Sequence, residues 1–139
     1  MGWSITIGEF DVEIDFKNRT AHCFAESHRE QGAPINSSLD QTNNIMPGYC
    51  AWDDFCRRHG LRILSEGCHA LSESDYAEFL AAYERHDYDP EPFDKLGLVE
   101  YVDTAPATND HWDALRLRWL VWWTRWALDN CKHPTIAMM

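Results

Sequence analysis

The sequence predicts an α+β domain, and three observations predict it. Trp112 to Cys131 repeats with helical spacing and carries five of the seven tryptophans of the chain. Phe10, Val12, Ile14 and Phe16 alternate strictly with Glu9, Asp11, Glu13 and Asp15, the period of a half-buried strand. Ser72 with Asp75 three residues later forms a helix-start signal ahead of an apolar stripe. Together they predict an N-terminal antiparallel β-meander packed against a C-terminal Trp-rich helix, with two further helices alongside. At 139 residues, residues 1–139 are expected to form a single domain, long enough to bury a real core.

Taken in order, Trp3 to Ile7, Phe10 to Phe16 and Thr20 to Phe24 read as the strands of the meander, with Gly8-Glu9 and Lys17-Asn18-Arg19 as turns. Ser27 to Gly48 is polar and rich in turn residues, a long connection of the kind that tends to be functional or mobile. Tyr49, Trp52, Phe55, Cys56 and His59 repeat with helical spacing, and Gly60 supplies a stop. Leu61 to Leu64 reads as a short strand or a connector. The next helix starts at the Ser72 cap, with Leu71 and Tyr76 at the hydrophobic-staple positions. Tyr76, Phe79, Leu80 and Tyr83 form its apolar stripe, to about His86. Asp87 to Pro92 is a proline-stiffened acidic loop, and Leu96 to Val102 is open between strand and helix.

In the last helix Trp112, Leu115, Trp119, Trp122, Trp123 and Trp126 fall on one arc about 100° wide at about 100° per residue. Leu117, Leu120, Val121, Thr124, Ala127 and Leu128 cover a second face, leaving a polar sector near Arg118, Arg125 and Asp129. A helix apolar nearly all round is buried. Its own fold, a second copy in a homodimer, or a partner are the covers open to it.

The net charge of −11 is concentrated in two places. Residues 1–16 hold Glu9, Asp11, Glu13 and Asp15 and no base, while residues 72–104 hold ten acids against Arg85 and Lys95. Direct nucleic-acid binding rests on Lys and Arg and is disfavoured. The natural complement is a basic protein surface. The N-terminus lacks a basic stretch followed by an apolar run, and the longest apolar run, Trp119 to Trp123, is too short to span a bilayer. Cysteines at irregular spacing then read as reduced thiols, and the expected location is cytoplasmic.

Alternate strand residues lie about 6.8 Å apart, so Glu9, Asp11, Glu13 and Asp15 could imitate a phosphate track as well as form a plain solvent-facing row. Asp87, Asp89, Glu91 and Asp94 hint at a calcium loop, but the glycine and the final glutamate of such a loop are missing. The reading is a solvated acidic turn able to steer a partner. Cys50, Cys56, His59, Cys68 and His69 are candidate metal ligands, though without a close Cys pair. Arg116, with Trp112 and Trp123, could hold an anionic ligand over an indole face, or pair with an acid of the 72–104 segment. No phosphate-binding Gly loop, G-x-S-x-G or H-E-x-x-H is present, so no catalytic residue and no cofactor is assigned.

Tyr49-Cys50-Ala51-Trp52-Asp53-Asp54-Phe55 through Gly60-Leu61, and Trp119-Leu120-Val121-Trp122-Trp123 through Asn130-Cys131, resemble small bacteriophage- and prophage-encoded proteins. That family has no established activity, so the resemblance carries over no site residues. It implies a phage context, where small acidic proteins often block a host protein. The expected function is a non-enzymatic interaction protein, an inhibitor of a host defence or nucleic-acid-binding protein. The alternative is a small-ligand or metal-binding protein, or an enzyme, using the Cys/His group or the Arg116–Trp pocket.

Overall fold

The computed structural model describes residues 5–10, 49–62, 64, 67–88 and 109–138. It is an α+β arrangement of β1 (Ile5–Glu9), α1 (Tyr49–His59), β2 (Gly67–Ala70), α2 (Glu73–Arg85), α3 (Asn109–Asn130) and β3 (Pro134–Met138). The strands form one antiparallel sheet in the order β1-β3-β2, so the last segment of the chain is its middle strand. Ile7 and His69 both face Ile136 across the two ladders. Thr135, Ile136, Ala137 and Met138 are all buried, as expected of a central strand covered on both faces.

The sheet therefore draws its strands from three distant parts of the chain. Gly8 and Glu9, expected as a turn, continue β1, and the backbone N–H of Phe10 still donates to the His133 carbonyl. Residues 61, 62 and 64 are irregular, and the strand in this region is Gly67–Ala70 instead. The expected strands over 11–16 and 20–24, the connection 27–48 and the segment 89–108 lie outside the described residues.

α1 ends as its sequence predicts. Gly60 takes φ +65°, which costs an L side chain but not glycine. Its N–H donates to the Arg57 carbonyl and the next N–H, of Leu61, donates to the Cys56 carbonyl at 2.9 Å. This paired pattern closes the last turn, and both Cys56 and Leu61 are buried beside it. α2 starts on the expected reciprocal cap. The Asp75 N–H donates to Ser72 Oγ, and the Ser72 N–H donates to Asp75 Oδ2 at 2.8 Å. Of its apolar stripe only Phe79 is fully buried, joined by Ala82. Tyr76 is half-buried, its ring 4.7 Å beneath the Arg125 guanidinium, a cation–π contact that joins α2 to α3.

α3 is the axis of the core. Leu115, Leu117, Trp119, Leu120, Trp123 and Ala127 are buried on it, and α2, β1 and β3 pack against it. The fold itself is thus a cover for the tryptophan helix. The burial is uneven along the predicted arc: Trp119 and Trp123 are fully enclosed, whereas Trp112, Trp122 and Trp126 are half-buried at its edge. Trp123 meets Trp122 and Trp126 edge-on, with centroids 4.7 and 5.8 Å away. Among the described residues no helix is long and apolar enough to cross a membrane.

Candidate functional site: a polar cleft where three helices meet

Helix ends decide where this site forms. α1 finishes on Arg57, Arg58 and His59, and α2 finishes on Arg85 with His86 as its C-cap, while α3 begins with Asp110 and Asp113 in or near its first turn. Bases suit the negative end of a helix dipole and acids the positive end. The fold brings the two basic ends against the acidic one. Arg58, His59, Ala82, Arg85, His86, Asp110 and Asp113 line the resulting cleft of about 340 Å³.

Asp113 is its centre, with a side chain only 2% exposed. Arg58 donates through Nε to Oδ2 at 2.8 Å and through Nη2 to Oδ1 at 3.0 Å, a two-pronged fork. His59 Nε2 lies 2.7 Å from Oδ2. An ionised carboxylate only accepts, so Nε2 carries the ring proton. Arg116 Nη1 adds a longer contact to Oδ1 at 3.5 Å. Burial by itself would raise the pKa of Asp113, but the hydrogen bonds from His59 and Arg58 and their charge reverse this and bring it down to about 2. Burial acts on Arg116 too, lowering its pKa against the pull of Asp113. Asp113 is therefore a fixed anion at neutral pH, not a proton carrier.

The rest of the cleft is tied to this centre. Arg85 Nη2 donates to the His59 carbonyl at 2.8 Å. His86 Nε2 donates to the Asp110 carbonyl at 2.7 Å, and the His59 and His86 rings stand edge to face with centroids 5.0 Å apart. Tyr88 stacks beyond His86 at 6.2 Å and is 37% exposed. The described lining residues include no Ser, Thr or Cys.

The residues singled out from sequence fare differently. Cys56 is sealed in the core, where burial pushes its thiol up to about 12. His59 is engaged by Asp113, and Cys68 and His69 are consecutive on β2, so their side chains leave opposite faces of the strand. The side chain of Cys50 lies outside the described residues. Among those described, no group of three or more His, Cys, Asp or Glu could hold a metal ion. Arg116 Nη1 meets Asp113 on its own helix at 3.5 Å, while the acids of the 72–104 segment beyond Asp87 lie outside the described residues. Trp123 is fully buried, so it offers no indole face to a ligand, and Trp112 is half-buried.

Glu9 is also engaged within the fold. Its carboxylate accepts the backbone N–H of Lys132, at 2.8 Å, and that of His133, pinning the turn that leads into β3. It is half-buried, not a plain outward-facing acid. Asp87 is exposed, while Asp11, Glu13, Asp15, Asp89, Glu91 and Asp94 lie outside the described residues. Sequence reasoning missed Arg58, Arg85, His86, Asp110 and Asp113. Their one signal was the placing of bases at two helix ends and acids at the start of a third.

No family model matches the chain, and no curated protein and no solved structure is significantly similar to it.

Proposed function

We propose that this chain is a non-enzymatic interaction protein that engages a basic surface of a partner protein; in a phage context, it would inhibit a host defence or nucleic-acid-binding protein. The observation that carries the reading is the concentration of charge. Residues 1–16 and 72–104 hold acids far in excess of bases in a chain of net −11. Such segments steer a basic partner and disfavour a phosphate backbone.

Burial of Trp119 and Trp123 shifts where recognition can occur. With those two rings committed to the core, neither is the anchor, and binding falls to the surface beyond them. Tyr88 supports this placement. It is the exposed large hydrophobic among the described residues and adjoins Asp87, at the start of the acidic 87–94 segment. A tyrosine within an acidic patch combines steering with the kind of ring that dominates interface energetics.

The test is capture of partners from a host lysate, followed by association kinetics with the purified partner. The expected partner is basic, and its association slows as salt rises, because screening acts within about 10 Å at 0.1 M. Replacing Asp87, Asp89, Glu91 and Asp94 by their amides should slow association in the same way, and Tyr88→Ala should speed dissociation. A partner whose association ignores both salt and these replacements would overturn the reading.

A further inference from the structure

We infer that the cleft at the ends of α1, α2 and α3 is a binding site for a small oxyanion, a carboxylate or phosphate group held between Arg58 and Arg85. This goes beyond the acidic interaction surface and rests on different residues. Arg85 meets only the His59 carbonyl, through one Nη, and no carboxylate among the described residues. The remainder of its guanidinium donors are left for the cleft that it lines. Arg58 uses Nε and Nη2 on Asp113, which leaves Nη1.

The Arg58 guanidinium is fixed by its fork on Asp113 and that of Arg85 is tethered by one hydrogen bond to the His59 carbonyl, so part of the side-chain freedom is lost before an anion arrives. Planar, forked donors suit carboxylate and phosphate oxygens. Asp113 does not repel such a ligand strongly, since Arg58, Arg116 and the His59 N–H all face it. The charged lining residues, Arg58 and Arg85 against Asp110 and Asp113, balance to zero in a chain of −11. A cleft without net charge repels an anion far less than the acidic segments do. The cleft of about 340 Å³ lies at the lower end of the range of roughly 300–1,000 Å³ that small-molecule sites occupy.

The test titrates inorganic phosphate, and separately acetate, into the whole protein at constant ionic strength. The ring C–H resonances of His59 and His86 are followed by NMR, with His69 on the sheet as the internal reference. Saturable shifts confined to His59 and His86 are expected, and the anion giving the tighter curve names the source. Arg85→Gln should weaken that binding about 10- to 100-fold, the usual effect of losing hydrogen bonds to a charged group. Arg62→Gln, whose partner Asp75 lies outside the cleft, should leave it unchanged. If neither anion gives a saturable shift at His59 or His86, or if Arg85→Gln binds as tightly as the parent, the inference is overturned. Should Arg85→Gln not fold, the parent titration alone decides, and Arg85→Lys tests the need for the fork.

Discussion

His59 and Asp113 stand 54 positions apart in the chain and meet at 2.7 Å, imidazole Nε2 to carboxylate Oδ2. With the fork from Arg58 beside it, this contact fastens the last turn of α1 to the start of α3. His86 does the same for α2 through the Asp110 carbonyl, and Arg85 links α2 back to α1. One buried carboxylate thus joins α1 to α3, while α2 is tied in through two backbone carbonyls, and removal of the carboxylate has a definite consequence.

Asp113→Asn keeps the shape of the side chain and removes its charge. Arg58 and Arg116 are then left facing a neutral amide. Removing one member of a buried ion pair costs about 3–5 kcal/mol, and a loss of that order is expected in urea unfolding. Arg58→Met should also destabilise, because it leaves the Asp113 carboxylate, only 2% exposed, with the His59 N–H and the longer Arg116 contact alone. A variant Asp113→Asn as stable as the parent would show that the cluster does not hold the helices together.

Acid unfolding should report the same residue. The Asp113 carboxyl is held at about 2, below its ordinary value of 3.8. A depressed folded-state pKa contributes stability in full above the unfolded value and loses it as pH falls through the folded one. The parent should therefore lose this contribution between about pH 4 and pH 2. Asp113→Asn lacks it throughout, so the stability gap between the two proteins should narrow as pH drops over that interval. A gap that stays constant would contradict the assigned shift.

The tryptophans should separate by position on α3. Trp119→Ala and Trp123→Ala remove fully enclosed rings and should each cost about 3–5 kcal/mol. Trp126 is half-buried, and its truncation should cost distinctly less. Equal melting temperatures for Trp119→Ala and the parent would place that ring outside the core.

Thiol reactivity offers a check on burial that needs no mutation. Burial pushes Cys56 up to about 12 and Cys131 up to about 11, helped in the second case by the Glu9 charge. Both should stay protonated at pH 8, and the thiolate is the reactive form. A disulfide reagent should modify them slowly in the native protein and rapidly in denaturant, and a zinc chelator should leave the helical signal unchanged. Fast native modification of Cys56 would mean that α1 opens readily.

What the sequence by itself determined are the elements whose signals lie within a turn or two of chain. The Ser72–Asp75 cap, the Gly60 stop and the tryptophan repeat each fix a helix through residues three or four apart, so no distant partner is needed to read them. Even there, tertiary packing chose which rings are enclosed, placing Trp119 and Trp123 inside and Trp126 at the edge. The central strand had no such local signal. Pro134–Met138 is a short apolar run, too brief for periodicity to distinguish strand from helix. Only pairing with Ile5–Glu9 and Gly67–Ala70 makes it the middle of a sheet. The cleft is the extreme case, since a base at the end of one helix carries no mark of the acid 55 residues away that will receive it. Charge pairing acts through space, and the folded packing of α1, α2 and α3 alone decided that Arg58, His59 and Asp113 would share one site.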